Sequence, residues 1–365
     1  MSAESAPNGS APDAGRPVRA AAAGPGADAL RTAYLELLKL CLCDLAGTAT
    51  TSVWTHTDGS LMSRELAGDE VAIRAAGVDW PLHGVTMVGL RRLDDLQTCV
   101  EEVVREDVPG DLIETGTWRG GASILMRATL DALGAGRTVW VADSFQGFPA
   151  PDDDHPDRGG LAAIDYLAVP EAQVRDNFAR LGCDQGVRFL PGFFEDTLPQ
   201  LAGRSWAVVR LDGDSYEATR LALEVLYPGL SVGGHLVVDD YGALEECRRA
   251  VEEFRARHGI VEPLQRVDWT GARWRRTTAE PLGVPDAPPP TPAAPAHRAQ
   301  RVDRTNPERI VSMVERAALR EQRHMARELA ATHERLAAAE REVTALRRHP
   351  LRGPRAWLRR LRRGG

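Results

Sequence analysis

Residues Leu112–Met126 read LIETGTWRGGASILM, and how this stretch is read decides the fold. Leu112 and Ile113 open a short strand that ends at the acid Glu114. Gly116 permits a tight bend, and Gly120-Gly121 lead into Ala122–Leu133, which has helical character. Glycines at such a bend let a ligand approach the helix N-terminus, where backbone N–H groups are unpaired. A dinucleotide site would carry GxGxxG, but the second glycine of that pattern is absent here. An acid at the strand end suits a ligand carrying an ammonium, and S-adenosylmethionine has both an amino-acid head and a sulfonium. A purely structural strand–helix turn would account for the same glycines.

Working outward, DLIETG, TVWVADS, VRFLPG, WAVVRLDGD and GHLVVDDYG are strand-like runs ending in acids or glycines. Helical stretches alternate with them at Ala122–Leu133, Glu171–Leu181, Tyr216–Leu226 and Leu244–His258. This alternation predicts an α/β fold, a parallel sheet with helices on both faces. The unbroken apolar character of WAVVRL and HLVV fits strands covered on both sides. In such sheets ligands bind outside the carboxyl ends of the strands, where every polar feature here falls. Asp143, ending the second strand, is placed to accept hydrogen bonds from a ribose diol, or else to cap the next helix. Phe193 or Phe194 would stack on an adenine or pack in the core. Upstream, Leu30–Cys43 spaces its apolar residues as a helix that packs on the body or on a second subunit.

Asp212 and Asp214 end one strand and Asp239 and Asp240 end the next. Parallel neighbours lie about 4.8 Å apart, so the carboxylates converge, repel one another and raise one another's pKa. A hard divalent cation removes that conflict, and oxygen-only ligands favour Mg2+ over Zn2+. Capping of the helix that begins SYEAT is the alternative for Asp214. A cation there would orient a substrate hydroxyl toward a methyl donor, with one spare carboxylate as general base. His235, in or before a buried strand, and His258, ending a helix, read as structural.

Of 365 residues, 43% are hydrophobic, enough for one large catalytic domain with appendages, and the net charge of −7 argues against general nucleic-acid binding. The five cysteines show no metal or disulfide spacing and suit a reducing cytoplasm as apolar fillers. The chain divides into a disordered leader (1–29), a body (30–278), a Pro-rich linker (279–304), a helical or coiled-coil extension (305–348) and a basic tail (349–365). Leu329, Leu336 and Val343 recur every seven residues in that extension, as a heptad seam or as one side of a solvated helix. Trp357, Leu358 and Leu361 among arginines would suit anionic lipid or an acidic partner, or a solvated tail.

Taken together, IETGTWRGGASILM, VADSFQGFPAPD, VRLDGDSYEATRLALEVLYPGLSVGGHLVVDDYG, CRRAVEEFR and VDWTGARWRR resemble the macrocin O-methyltransferase (TylF-like) family. With YLELLKLCLCDL and DWPLHGVTMVGLRRLDDLQ, the likeness runs from about Tyr34 to Arg276. The resemblance implies a class I S-adenosylmethionine-dependent methyltransferase fold, a Rossmann-like doubly wound sheet with an N-terminal helical region; the C-terminal extension has no counterpart in it. It also implies Mg2+-dependent methylation of a sugar hydroxyl on a natural product or surface glycan, by a homo-oligomer. Asp212, Asp239 and Asp240 resemble the metal ligands, and Asp214 the general base. Glu114, Gly116, Thr117, Trp118, Arg119 and Gly120 match the methionine-end loop, and Asp143 the ribose acid. Ser144, Gln146 and Gly147 fall in a neighbouring loop beside the cofactor. Residues 150–169 resemble a lid over the acceptor, and Tyr34 and Val85–Leu90 positions near the pocket mouth. Competing expectations are a catechol- or acyl-CoA-type metal-dependent O-methyltransferase, and a non-catalytic scaffold.

Overall fold

The computed structural model describes residues 26–55, 60–149 and 164–279. Most of the expected leader, residues 150–163 of the lid, and everything from residue 280 on lie outside the described residues, and with them the linker, helical extension and basic tail. An N-terminal region comprises α1 (Ala27–Leu42), β1 (Thr51–Thr55), β2 (Leu61–Glu65), α2 (Val71–Ala75), β3 (Trp80–Pro81) and α3 (Leu90–Arg105). Strand–helix alternation follows: β4 (Asp111–Thr115), α4 (Gly121–Ala132), β5 (Val139–Asp143), α5 (Glu171–Arg180), β6 (Val187–Pro191), α6 (Phe194–Thr197), β7 (Trp206–Leu211), α7 (Tyr216–Leu226), β8 (Leu230–Val238) and α8 (Glu245–Arg257). The hairpin β9 (Gln265–Arg266) and β10 (Ala272–Arg275) closes the described body.

The larger sheet has the order β6-β5-β4-β7-β8-β10-β9. Its first five strands are parallel, whereas β10 runs antiparallel to both β8 and β9. The expectation of a parallel sheet therefore needs one correction, an antiparallel hairpin on the β8 edge. Strand order reverses between β4 and β7, so a crevice opens between their carboxyl ends.

Alternate residues of one strand enter different cores. Leu112, Val139, Val141, Val208 and Val237 join α1, α3 and α4 in one cluster. Ile113, Trp140, Val209, Leu236 and Val238 join α7 and α8 in the other. A two-residue side-chain period with both faces covered gives this division. Arg210 has the parity of Val208 and so faces the α3–α4 layer.

The predicted helices lie within a residue of α4, α5, α7 and α8, while α1 begins three residues earlier than Leu30. The N-terminal region is not purely helical, as was expected: β2-β1-β3 form a small antiparallel sheet. Its strands carry no strong apolar alternation, since β2 is exposed throughout and β3 has two residues. Fully buried Arg74 ties the region together, donating to Asp79 (2.7 and 2.9 Å) and to the carbonyls of Cys43 (3.2 Å) and Thr51 (2.8 Å). Tyr34 sits on the outer side of α1 beside Cys183, not at a pocket mouth. Four of the five cysteines are buried and Cys41 is exposed.

Candidate active site

Backbone hydrogen bonds carry the ladder one residue beyond the strand ends. Gly116 N–H donates to Ala142 O (2.8 Å), Gly192 to Asp143 O (3.0 Å), Asp212 to Thr115 O (2.8 Å) and Asp239 to Leu211 O (2.9 Å). Five strand tips are thereby held in register along one rim. Above it lies a cavity of about 580 Å³ lined by Glu114, Gly116, Thr117, Trp118, Asp143, Ser144 and Gly147 on one side, and Asp212, Asp214, Asp239 and Asp240 on the other. Phe193, Phe194, Thr86, Met87 and Val88 complete parts of the wall.

The β4–β5 half is built from backbone. Asp143 Oδ2 accepts the N–H groups of Thr117 (2.7 Å) and Trp118 (3.3 Å), and Oδ1 that of Phe145 (2.8 Å). Asp143 thus locks the glycine loop against its own turn while its remaining lone pairs line the cavity. Burial raises its pKa despite these bonds. Trp118 (φ 47°) and Phe145 (φ 57°) are held in the left-handed region, which is costly for non-glycine residues and gathers at functional sites.

Several expectations for this half are corrected. Gly116 makes the expected tight bend, and the room that Gly116 and Gly120 leave in place of a Cβ is taken by protein. A Cβ on Gly116 (φ 82°) would stand 1.8 Å from Asp212 O, and one on Gly120 (φ 89°) would meet Phe178 and Val174 at 2.9 Å. Glu114 does not offer a free carboxylate, because Ser123 Oγ donates to one oxygen and Arg210 (2.5 Å) to the other. Burial first, then the charges of Asp212 and Asp239, push Glu114 up to about 7. Arg119 does not line the cavity: its guanidinium stacks on Trp118 (4.2 Å) and donates to the carbonyls of Leu82 (3.0 Å) and Gly84 (2.8 Å), stapling the loop to the N-terminal region. Gln146 is exposed and also off the wall, whereas Ser144 Oγ holds Gly147 O at 2.6 Å.

The β7–β8 half is built from charge. One oxygen from each of Asp212, Asp214 and Asp240 lies within 4.8 Å of the other two. Asp239 stands apart from this trio, with its two oxygens taken by Arg92 and Arg210. Enclosure raises the pKa of Asp212 and pushes Asp214 up to about 7, and it lifts Asp240 well above the carboxylate range, with the neighbouring aspartates adding to each shift. Buried Asp240 Oδ2 has no hydrogen-bond partner among the described residues. An all-oxygen donor set with an orphaned buried oxygen and repulsion that Arg210 relieves only at Asp212 by direct contact fits a hard divalent cation. Asp214 occupies a left-handed position (φ 61°), and the α7 cap that had been its alternative is supplied by Ser215, which accepts from Ala218 N–H (3.2 Å).

Sequence reasoning missed Ser123, Arg92, Arg210 and Trp269. Arg210 carried a signal, a lone cation inside the apolar run WAVVRL. Arg92 and Trp269 carried none, because their partners are about 150 or more positions away (Asp239 and Ala76). His235 is buried and structural, as read, and the ring of His258 packs on Phe254 at 4.5 Å.

A seven-stranded sheet of this order, with a glycine loop after β4 and an acid at the end of β5, defines a class I S-adenosylmethionine-dependent methyltransferase. The family profile described as Macrocin-O-methyltransferase (TylF) matches residues 32–276, and the chain belongs to that family. It is 48% identical over 256 residues to the 8-demethyl-8-(2,3-dimethoxy-alpha-L-rhamnosyl)-tetracenomycin-C 4'-O-methyltransferase of Streptomyces olivaceus, covering 68% of this chain and 94% of that one. It is 46% identical over 252 residues to the mycinamicin III 3''-O-methyltransferase of Micromonospora griseorubida, covering 67% and 96%. Among solved structures, the O-methyltransferase NovP is similar at TM-score 0.60 and 42% identity, covering 68% of this chain and all of that one. The protein is an O-methyltransferase. No helix among the described residues is long and apolar enough to cross a membrane.

Proposed function

We propose that the protein transfers the methyl group of S-adenosylmethionine to a sugar hydroxyl of a glycosylated natural product or surface glycan, using a Mg2+ ion. The carrying observation is that the mutually repelling Asp212, Asp214 and Asp240 share one cavity with the glycine-loop half. The relatives whose names specify glycosylated acceptors support the substrate class. Asp212 and Asp240 would hold the cation, with Asp239 as the third ligand that the family resemblance implies. When bound, the cation supplies positive charge that acidifies and orients the hydroxyl. Asp214, pushed up to about 7, accepts the hydroxyl proton as the oxygen takes the methyl and S-adenosylhomocysteine departs. Thr117, Trp118 and Asp143 orient the cofactor, Phe193 or Phe194 covers its adenine, and Trp118 with Trp80 helps exclude water.

The acyl-CoA-type alternative fits less well. Both cationic residues on the described wall are already paired, Arg92 with Asp239 and Asp268 and Arg220 with Glu217 (2.9 Å) and Glu224 (2.7 Å). Glu195 and the aspartate group leave the described wall without a free cation for a phosphate-rich acceptor. The proposal extends to a homo-oligomer whose basic tail, residues 349–365, touches anionic lipid or an acidic partner; sedimentation and vesicle binding test these points.

The test incubates the protein with S-adenosylmethionine and the glycosides named for its relatives, and follows products by mass spectrometry. Methylation should cease after chelator treatment and return with Mg2+. Undiminished turnover in chelator would refute the cation, and methylation of catechols or acyl-CoA in preference to glycosides would refute the acceptor.

A further inference from the structure

Arg210 emerges from β7 into the α3–α4 face and is 1% exposed. Its Nη1 donates to Glu114 (2.5 Å) and Asp212 (2.6 Å), and its Nη2 donates to Asp239. Arg92 reaches the same Asp239 from α3, and also donates to Asp268 (3.0 Å) and Gly77 O (3.1 Å). Asp268 in turn accepts the Thr270 (3.0 Å) and Gly271 (2.7 Å) N–H groups, and Thr270 Oγ1 donates to Asp239 O (2.8 Å). Two guanidiniums therefore bridge α3, β4, β7, β8 and the β9–β10 loop through one aspartate. Neither donates a hydrogen bond to Asp214 or Asp240, which are hydrogen-bonded to each other.

A buried carboxylate without a counter-charge is strongly destabilising, and the described rim holds more acids than two arginines can neutralise. Of the four aspartates, Asp239, which both arginines hold, is the most buried. We infer that Arg92 and Arg210 are built-in counter-ions: they hold Asp239 and Asp212 in place when no divalent cation is bound, and compete with the cation for those carboxylates. They are positioning residues acting through the aspartates. The consequence is an enzyme whose fold does not require metal and whose Mg2+ binding is weak and readily reversible. This inference rests on the cation reading given above.

The test uses the full chain, thermal unfolding in chelator and in Mg2+, and calorimetric titration with Mg2+. Wild-type unfolding should move little on adding Mg2+. Arg92→Gln should lose stability in chelator, regain by roughly 5 °C or more in millimolar Mg2+, and bind Mg2+ about tenfold more tightly. The pair Arg92→Gln with Asp239→Asn should recover stability in chelator, because no charge is left to compensate. Arg92→Lys, which keeps the charge, should lie near wild type in chelator. Equal loss in Arg92→Gln with and without Mg2+, or damage in Arg92→Lys as great as in Arg92→Gln, would overturn the inference and make the arginine a packing element. Wild type that binds Mg2+ while the variants respond no differently also overturns it, leaving the cation reading intact. No Mg2+ response in any protein would overturn both.

Discussion

The two halves of the rim solve different problems with different materials. On the β4–β5 side, the two acids that shape the loop find their partners inside the protein: Asp143 accepts three backbone N–H groups, and Glu114 is held by Ser123 and Arg210. The acids of that half are held in place by the protein before any ligand arrives. On the β7–β8 side, Asp240 keeps a buried oxygen unpaired and its pKa is driven far up. That half is incomplete without a positive charge. The comparison teaches that preorganisation and deficit are allotted to separate strand tips, joined where Gly116 touches the Asp212 carbonyl.

The largest effect should come from the deficient half. Asp240→Asn should lower turnover by at least about a hundredfold while leaving S-adenosylmethionine affinity nearly unchanged. Steady-state kinetics beside calorimetry check this, and an equal loss in cofactor affinity would erase the distinction between the halves. Gly116→Ala strikes the join: its Cβ would stand 1.8 Å from the Asp212 carbonyl, at a φ of 82°. A stability loss of roughly 3 kcal/mol is expected, read as a lowered urea midpoint. A midpoint equal to wild type would mean that the two tips move independently.

His235 lies deeper in β8 and separates strand stability from rim chemistry. Its Nδ1 accepts from Arg273 (3.1 Å), and burial first, then Arg273 and Arg275, push its pKa down to about 4. Below about pH 6.5 the unfolded chain protonates this imidazole and the folded chain does not. Stability contributed by the neutral ring should therefore fall between about pH 6.5 and about 4, with the Glu102 carboxylate 3.0 Å from Nε2 reducing the loss. His235→Gln should flatten that part of the curve, and an unchanged slope would exclude the residue as its source.

Asp143→Asn exchanges an acceptor pair for an amide in the β4–β5 half. S-adenosylmethionine affinity should drop about tenfold with Mg2+ affinity unaltered, the mirror of the Asp240 result. The smallest change is expected from Gln146→Ala, since the side chain is exposed and off the wall, with cofactor affinity altered by less than about twofold. A tenfold loss there would return Gln146 to the site.

The body of the fold was legible because its signals are local. Apolar runs of strand length alternate with helical periods, so α7 matches its predicted span, Tyr216–Leu226, to the residue. The small sheet β2-β1-β3 was not legible, because exposed or two-residue strands leave no periodic trace. At the site, Asp143 and the aspartates announced themselves by standing at strand ends. The side-chain directions did not, and Arg119 and Gln146 share the loops of Trp118 and Ser144 yet face elsewhere.

What the amino-acid order determined by itself was the set of strand tips and the kind of group each would carry, since both depend on neighbours within a few positions. What only the tertiary structure decided was which charges meet. Arg92 and Asp239 are 147 positions apart, and Arg210 and Glu114 are 96. A Coulomb contact depends on distance in space, and nothing in a local pattern encodes a partner that the folded sheet brings from so far along the chain.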